Sequence, residues 1–239
     1  MTKGKSDITD SMRLCDYCYR HADMLKATPV LDPVLISLRD LFTARTRLLS
    51  QTASIRVYLN ELKLSNSKDV QQIMEQAHKA ALEGLRLSLK QIEAQINKII
   101  QEDQRLKNNY DLLLTVPGIG HVTAVYLLCC TSNFAGKVKG KQLASYAGVV
   151  PFSNTSGTSI KGRNKVHKMA NKDLKKLLHL CAMSAVNNHP EFKQYYERKK
   201  AEGKNKMSIL NAVRNKIALR AAAVINNQRQ YVNNYEKAA

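Results

Sequence analysis

Residues 112–128 read LLLTVPGIGHVTAVYLL, in which a VPGIG stretch at 116–120 joins two short apolar segments of helical character. Pro117 has no backbone N–H and restricts the residue before it, so it ends the first helix. Gly118 and Gly120 allow a positive φ and let the backbone approach another group closely. The stretch therefore predicts two helices joined by a tight turn.

The start of the second helix is a candidate anion site. The amides of Gly120, His121 and Val122 would begin this helix without an intrahelical partner, so we expect them to point outward. A DNA phosphate is a common ligand of such a helix start, and the sequence resembles the helix-hairpin-helix motif, which grips the DNA backbone without reading sequence. We predict DNA contacts at Gly118, Gly120 and His121. An ordinary tight turn between two core helices would explain the same local pattern.

The charge of the chain favours the DNA interpretation. The 239 residues include 38 Lys and Arg against 19 Asp and Glu, a formal net charge of +19. Such a surplus points to a polyanionic partner, with nucleic acid first and a membrane surface second. No apolar run is long enough to span a bilayer and no secretory signal peptide is recognised, so we expect no membrane partner. Five cysteines form no even disulfide framework, which predicts a reducing cytoplasm.

The aromatic content bears on the mode of nucleic-acid binding. The chain has no Trp, and 6% of its residues are aromatic. Base-stacking platforms are therefore not expected to dominate, and contact with the sugar–phosphate backbone is the predicted mode.

Two long helical patterns precede the turn. A polar, turn-forming stretch at 65–69 separates them. The second pattern is a sustained a/d seam, which is typical of a coiled coil. We predict an antiparallel helical hairpin over about residues 34–108, whose seam closes within one chain or against a second copy in a homo-oligomer. The apolar positions are Leu41, Leu48, Ile55 and Leu62 in the first pattern, and Leu82, Leu85, Leu89, Ile92, Ile96 and Ile99 in the second.

Residues 4–27 contain two candidate metal ligands. Asp7 and Asp10 share one face if this segment is helical, and together with other acids they can hold a divalent cation. The alternative is helix capping, because Ser6 or Asp7 suits an N-cap and acids are favoured in the first turn. The same segment contains three potential zinc ligands, Cys15, Cys18 and His21. No second pair of ligands follows at the spacing of a zinc finger, so we expect these residues to be structural.

A stretch rich in Gly, Ser and Thr follows the turn, and residues 148–163 read GVVPFSNTSGTSIKGR. It predicts a loop with two short strands. Residues 137–176 hold ten basic residues against one acid, Asp173. This concentration around a loop of hydroxyl groups favours a phosphate site over a solvated basic face. The predicted DNA contacts in this region are Lys161, Arg163, Lys165 and Lys168. Further helices are predicted at 142–147 and 171–188, from Pro190, and at 207–227.

The order of five motifs carries a family resemblance. VPGIG, ASYAGVVP, TSGTSIKG, HKMANKDLKKLL and EGKNKMSILNAVRNKIALRAAAVI together resemble the C-terminal domain of the insertion sequence 110 family, RNA-guided DNA recombinases. The resemblance covers about residues 110–232. GKSDITDS near the N-terminus resembles the end of that family's RuvC-like nuclease domain, which closes on two aspartates three apart. The coiled-coil segment between these regions is also what the family shows.

The resemblance implies a mainly α chain in three parts. Residues 1–27 would be a helical remnant of the RuvC-like domain, and 28–109 a long antiparallel coiled-coil hairpin. Residues 110–239 would form a compact helical C-terminal domain with the helix-hairpin-helix-like motif and the short irregular or β serine loop. Most of the RuvC-like domain would lie upstream of Met1, so the resemblance implies a truncated chain.

The family's active site is composite, and the resemblance transfers it residue by residue. Ser156 matches the serine that attacks the DNA phosphate, while Asp7 and Asp10 match the last two of four acids that hold Mg²⁺ or a similar divalent cation. The implied partners are double-stranded DNA, a guide RNA and further copies of the chain, in a bacterial cytoplasm. Two departures from the pattern leave these groups in place, Thr155 for a serine and Ala170 for a glycine.

Residue chemistry is compatible with this assignment. A serine hydroxyl needs deprotonation or a metal to become a good nucleophile, and cations lower the cost of charge that develops on a phosphate. The implied function is a transposase that exchanges DNA strands, although this chain alone is expected to be inactive. The alternative is a non-catalytic nucleic-acid-binding module with a coiled-coil dimeriser. Without the resemblance, Ser153 and Ser159 would be equal rivals of Ser156, and His167 a minor candidate for a base.

Overall fold

The computed structural model describes residues 6–25, 32–65, 67–156, 160–166 and 169–232. These form two units, Met1–Asp32 and Pro33–Ala239. The described part of the chain is mainly α, as predicted, with one two-stranded sheet. In order the elements are α1 (Asp7–Arg20), α2 (Pro33–Ser65), α3 (Lys68–Glu102), α4 (Gln104–Leu114), α5 (His121–Cys130), α6 (Gly140–Tyr146), β1 (Phe152–Ser156), β2 (Ile160–Lys165), α7 (Lys172–Asn188), α8 (Pro190–Ala201) and α9 (Lys206–Asn227).

The first unit contains α1, and its start is set by a capping box. The Ser6 hydroxyl accepts a hydrogen bond from the Thr9 N–H at 3.2 Å, and the Thr9 hydroxyl accepts one from the Ser6 N–H at 3.2 Å. Asp7 and Asp10 lie in the first turn, where a carboxylate interacts favourably with the helix dipole. The capping alternative for this stretch is therefore confirmed, with Ser6 as the N-cap.

In the second unit, α2 and α3 form the predicted antiparallel hairpin. Arg45 pairs with Glu93 at 2.9 Å and Lys63 with Glu75 at 3.1 Å, and both pairs fit one antiparallel register. All ten apolar seam positions are at least partly buried, as expected for side chains that face the other helix.

The second hairpin helix ends at Glu102, six residues before the predicted limit of 108. The Asp103 carboxylate accepts hydrogen bonds from the N–H groups of Leu106 at 3.1 Å and Arg105 at 2.9 Å, and so starts α4. The bond from Leu106 contributes most to lowering the Asp103 pKa, against the effect of burial. α4 is a separate helix, and the domain boundary predicted between residues 109 and 110 falls within it.

A single hydrophobic core joins the base of the hairpin to the C-terminal helices. Leu38 and Phe42 of α2 and Ile96 and Ile100 of α3 belong to the same cluster as the buried residues of α4 to α9. Small residues of α9, among them Ala218, Ala221 and Ala222, are almost fully buried, which allows close packing of neighbouring helices. None of the helices in the described residues is long and apolar enough to cross a membrane.

Candidate nucleic-acid and catalytic site

Gly118 has the predicted positive φ, but the backbone that it approaches is that of α7. Its φ is +86°, and a Cβ placed here would lie 2.3 Å from the carbonyl oxygen of Cys181 and 2.9 Å from the Cβ of Ala185. A side chain would therefore collide with backbone that belongs to the core. Gly118 lets the turn pack on α7, as the tight-turn alternative expects.

Gly120 does not use the positive φ that glycine allows; it is the N-cap of α5 and has an extended backbone with φ −104°. Burial raises the pKa of the Cys181 thiol, and the nearby Gly120 N–H partly opposes that effect. An added Cβ at Gly120 would have nothing within 4 Å, and the residue is exposed. The surface at Gly120 therefore remains open to a ligand.

His121 is half-buried, and its ring contacts a neighbouring aromatic side chain. Its Nδ1 lies 2.8 Å from the Tyr110 hydroxyl, and the two rings meet edge to face. Burial lowers the pKa of His121, and the nearby Arg45 lowers it further. A neutral imidazole is favoured near pH 7 as a result, so His121 contributes little positive charge to an anion site.

The serine loop contains the two predicted short strands. β1 and β2 pair antiparallel, and the Cα partners include Ser156 with Ile160 and Thr155 with Lys161. Ser156 is thus the last residue of β1, and Lys161 lies across the ladder from its neighbour. Arg163 lies within β2, and Lys165 is paired with Phe152 at the opposite end of the ladder. Lys168, His167 and Ser159 fall outside the described residues.

The segments directly before and after this β-hairpin contact each other and the neighbouring helices. Gly148 has φ +63°, and a Cβ there would lie 2.5 Å from the Cβ of Ala170 and 2.9 Å from the Val166 side chain. The Asn171 N–H donates to the carbonyl oxygen of Tyr146 at 2.8 Å. The Asn211 side chain donates to the carbonyl oxygen of Val149 at 2.8 Å. Ser156 therefore lies on a β-hairpin whose two ends are held next to α6, α7 and α9 by hydrogen bonds and packing contacts.

Asn171 is a structural residue that the sequence analysis did not single out. Its Oδ1 accepts from the Leu174 N–H at 2.9 Å and from the Tyr126 hydroxyl at 3.0 Å, and its Nδ2 donates to the Tyr146 hydroxyl at 2.9 Å. One side chain therefore caps α7 and holds two tyrosines from α5 and α6. An Asn directly before a helix was the available sequence signal.

The two candidate metal ligands lie in the first unit, on exposed turns of α1. Asp10 is within 3.5 Å of Arg13, and both side chains are mostly exposed. Mg²⁺ is commonly bound through one or two carboxylates together with water and substrate phosphate. Asp7 and Asp10 fit that donor set as part of a site. Among the described residues no group of three or more His, Cys, Asp or Glu is placed to hold a metal, so the trio with Cys15, Cys18 and His21 does not form a zinc site there.

The turn and the serine hairpin both lie in a segment whose sequence matches known proteins. Residues 110–197 match the family model described as transposase IS116/IS110/IS902 family. This segment belongs to the IS110 family of transposases. We call residues 110–197 the family segment. It contains the turn, both β-strands and Ser156, and the match confirms the resemblance inferred from the motifs.

Curated relatives cover more of the chain. The pilin gene-inverting protein of Moraxella bovis is 31% identical over 145 residues, which are 60% of this chain and 45% of that protein. An IS110 insertion element protein of 43.6 kDa from Streptomyces coelicolor is 33% identical over 129 residues, 54% of this chain and 31% of that protein. An IS900 insertion element protein of 42 kDa from Mycobacterium paratuberculosis is 29% identical over 107 residues. The matched stretches thus cover less than half the length of each relative.

Proposed function

We propose that this chain is part of an insertion-element transposase that rearranges DNA through attack by Ser156 on a DNA phosphate. The observation that supports the proposal most directly is the position of Ser156. It lies in the family segment, on a β-hairpin whose ends are held by hydrogen bonds. The name of the Moraxella relatives describes inversion of a pilin gene. Inversion requires breaking and rejoining of DNA, which is the type of reaction we infer here.

In the proposed reaction the Ser156 oxygen forms a bond to phosphorus, and the bond from phosphorus to one sugar oxygen breaks. The serine proton passes to a base, and the sugar oxygen that leaves is protonated. Negative charge develops on the non-bridging oxygens of the phosphate, where cations stabilise it. Lys161, Arg163, Lys165 and Lys168 are the cations that the proposal assigns to DNA. Lys161 has the register nearest to Ser156.

Asp7 and Asp10 are proposed to hold Mg²⁺ or a similar divalent cation together with further acids. When bound, such a cation would polarise the phosphate or favour the deprotonated hydroxyl. The two carboxylates lie in the first turn of α1 and are exposed, which supports access by a metal.

The proposed partners are duplex DNA, a guide RNA and further copies of the chain. The exposed backbone at Gly120 and the basic residues of 137–176 support contact with a phosphate backbone. Several apolar side chains near the tip of the helical hairpin are exposed, which supports self-association there: Val57, Tyr58, Val70 and Ile73.

The second candidate function is a nucleic-acid-binding module without catalysis. It is favoured by the absence, among the described residues, of any cluster of three or more potential metal ligands. Both candidate functions predict DNA binding, but only the transposase forms a covalent bond between protein and DNA. Detection of a covalent protein–DNA adduct therefore distinguishes them.

The test is an adduct assay on a denaturing gel with labelled duplex DNA and Mg²⁺, in a protein that supplies all four acids. We expect a DNA adduct with Ser156 intact and none with Ser156→Ala, while DNA affinity changes little because one neutral hydroxyl adds little to polyanion binding. Ser153→Ala and Ser159→Ala are the matched controls. An adduct that survives Ser156→Ala and disappears with a control would move the assignment to that serine. If no serine matters, the covalent mechanism is wrong.

A further inference from the structure

A groove of about 730 Å³ lies between the helical hairpin and the family segment. Arg39 and Arg47 of α2 contribute to one wall, and Tyr126 and Tyr146 contribute to the other. All of these residues belong to the second structural unit. None of the described residues that line the groove belongs to the serine hairpin, and nothing in the proposed reaction uses the groove.

The aromatic wall is held in place by Asn171. The hydroxyl groups of Tyr126 and Tyr146 both bond to the Asn171 side chain, at 3.0 Å and 2.9 Å. The Tyr126 ring packs against Phe42 at a centroid distance of 5.4 Å. Tyr146 retains 45% of its surface exposed. Tyr146 thus presents an aromatic ring to the groove with its orientation already set, which reduces the entropy lost when a ligand stacks on it.

The opposite wall carries an excess of positive charge. Arg45 is paired with Glu93 at 2.9 Å. Asp173, the one acid among the described residues that line the groove, is paired with Lys176 at 3.3 Å. Arg39 and Arg47 have no acidic partner among the residues that the structure describes. Arg39 also lies close enough to Cys129 to lower the pKa of that thiol, against the larger effect of burial. Two guanidinium groups are therefore available to an anion.

We propose that this groove binds an unpaired strand of nucleic acid, with one base stacked on Tyr146 and phosphates on Arg39 and Arg47. A positively charged groove combined with an aromatic ring is the arrangement that binds single strands, because an unpaired base has a free face for stacking. The two arginines are eight residues apart on α2, a rise of about 12 Å, so they contact different phosphates of one strand. The inference rests on the proposed nucleic-acid function and adds an unpaired strand to its ligands.

A fluorescence experiment tests the stacking directly. The chain has no Trp, so Tyr146→Trp introduces a single indole at the groove. We expect its emission to be quenched on titration with a 12-nucleotide dT or rU oligonucleotide, and to change little with a blunt duplex of the same length. Tyr196→Trp, on α8 and outside the groove, is the matched control. Equal quenching at both positions would overturn the proposal.

Affinity measurements test the contribution of each wall. Tyr146→Leu and the pair Arg39→Gln with Arg47→Gln should each weaken single-strand binding by about tenfold. Tyr146→Phe keeps the ring and should bind as wild type. The pair Lys193→Gln with Arg229→Gln removes the same charge at exposed positions outside the groove and serves as the control.

The outcomes separate this proposal from the proposed function. If the control pair loses as much affinity as the groove pair, or if duplex binding falls as much as single-strand binding, the groove assignment is wrong. If every variant binds single strands as wild type while duplex binding is retained, the groove assignment alone fails. If the wild-type chain binds neither strands nor duplex at low salt, the nucleic-acid function itself fails. Comparison of the dT and rU arms identifies whether DNA or RNA is the preferred strand.

Discussion

Two glycines in one turn, Gly118 and Gly120, have different structural roles. Gly118 has a positive φ and meets the Cys181 carbonyl, whereas Gly120 has an extended backbone with open space where a side chain would be. The first residue is needed for folding, and the second is available for a ligand. Substitution of each by Ala therefore separates packing from DNA contact.

Gly118→Ala should destabilise the fold by about 3 kcal/mol, from left-handed strain and collision with the core. Gly203→Ala is the matched control, because Gly203 also has a positive φ of +76° but nothing within 4 Å of an added Cβ. It should cost only the strain, about 1 kcal/mol. Urea unfolding monitored by circular dichroism measures both. Equal losses would mean that the approach to α7 is not tight in solution.

Gly120→Ala should leave the unfolding free energy almost unchanged while lowering affinity for duplex DNA, since a methyl group there obstructs the approach of a phosphate. Fluorescence anisotropy with a labelled duplex measures the affinity. Unchanged binding would show that the turn does not contact DNA, in favour of its purely structural role.

At the scale of elements, the two ends of the helical hairpin differ in burial. Ile96, near the base, is 1% exposed and belongs to the core. Ile73, near the tip, is 63% exposed. α3 therefore packs into the core of one chain at its base and leaves apolar surface exposed near its tip.

Ile96→Lys should destabilise the fold by about 4 kcal/mol or more, because it buries an unpaired charge. Ile73→Lys should leave the thermal midpoint unchanged and weaken self-association. Thermal unfolding and sedimentation velocity at tens of micromolar measure the two effects. A wild-type chain that sediments as a monomer at these concentrations would show that the seam closes within one chain only, and the proposed homo-oligomer would be wrong.

At the scale of the whole molecule, the net charge of +19 is the dominant feature. About half of this excess lies in residues 137–176, which include the serine hairpin and the first turn of α7. Many cations near one hairpin are typical of a protein that binds phosphates along a nucleic-acid backbone.

Duplex DNA binding should therefore show steep salt dependence and weak sequence preference. If six or more phosphates are contacted, affinity should fall by about 10³-fold or more between about 50 and 200 mM salt, because condensed counterions are released on binding. Anisotropy titrations of two unrelated duplexes across this salt range make the measurement. A flat salt dependence would contradict the backbone-binding mode.

The sequence by itself determined most of the helical elements and the family of residues 110–197. The predicted helices at 171–188, from Pro190 and at 207–227 agree with α7, α8 and α9 to within a residue or two, because caps, prolines and apolar periodicity act over a few neighbouring residues. The motif order indicated the family of residues 110–197, because motifs depend only on residue identity along the chain. The early end of α3 was missed because Asp103 can act as an N-cap without any break in apolar periodicity.

The tertiary structure alone decided which groups meet. Three features of the turn depend on residues far away along the chain. They are the conformation of Gly120, the lowered pKa of His121 and the packing of Gly118 on α7. The same is true of Asn171, which joins Tyr126 and Tyr146 across 45 and 25 residues. Local propensity contains no information on such distances, because they follow from how complete helices pack. The groove between α2 and the family segment is likewise a product of that packing.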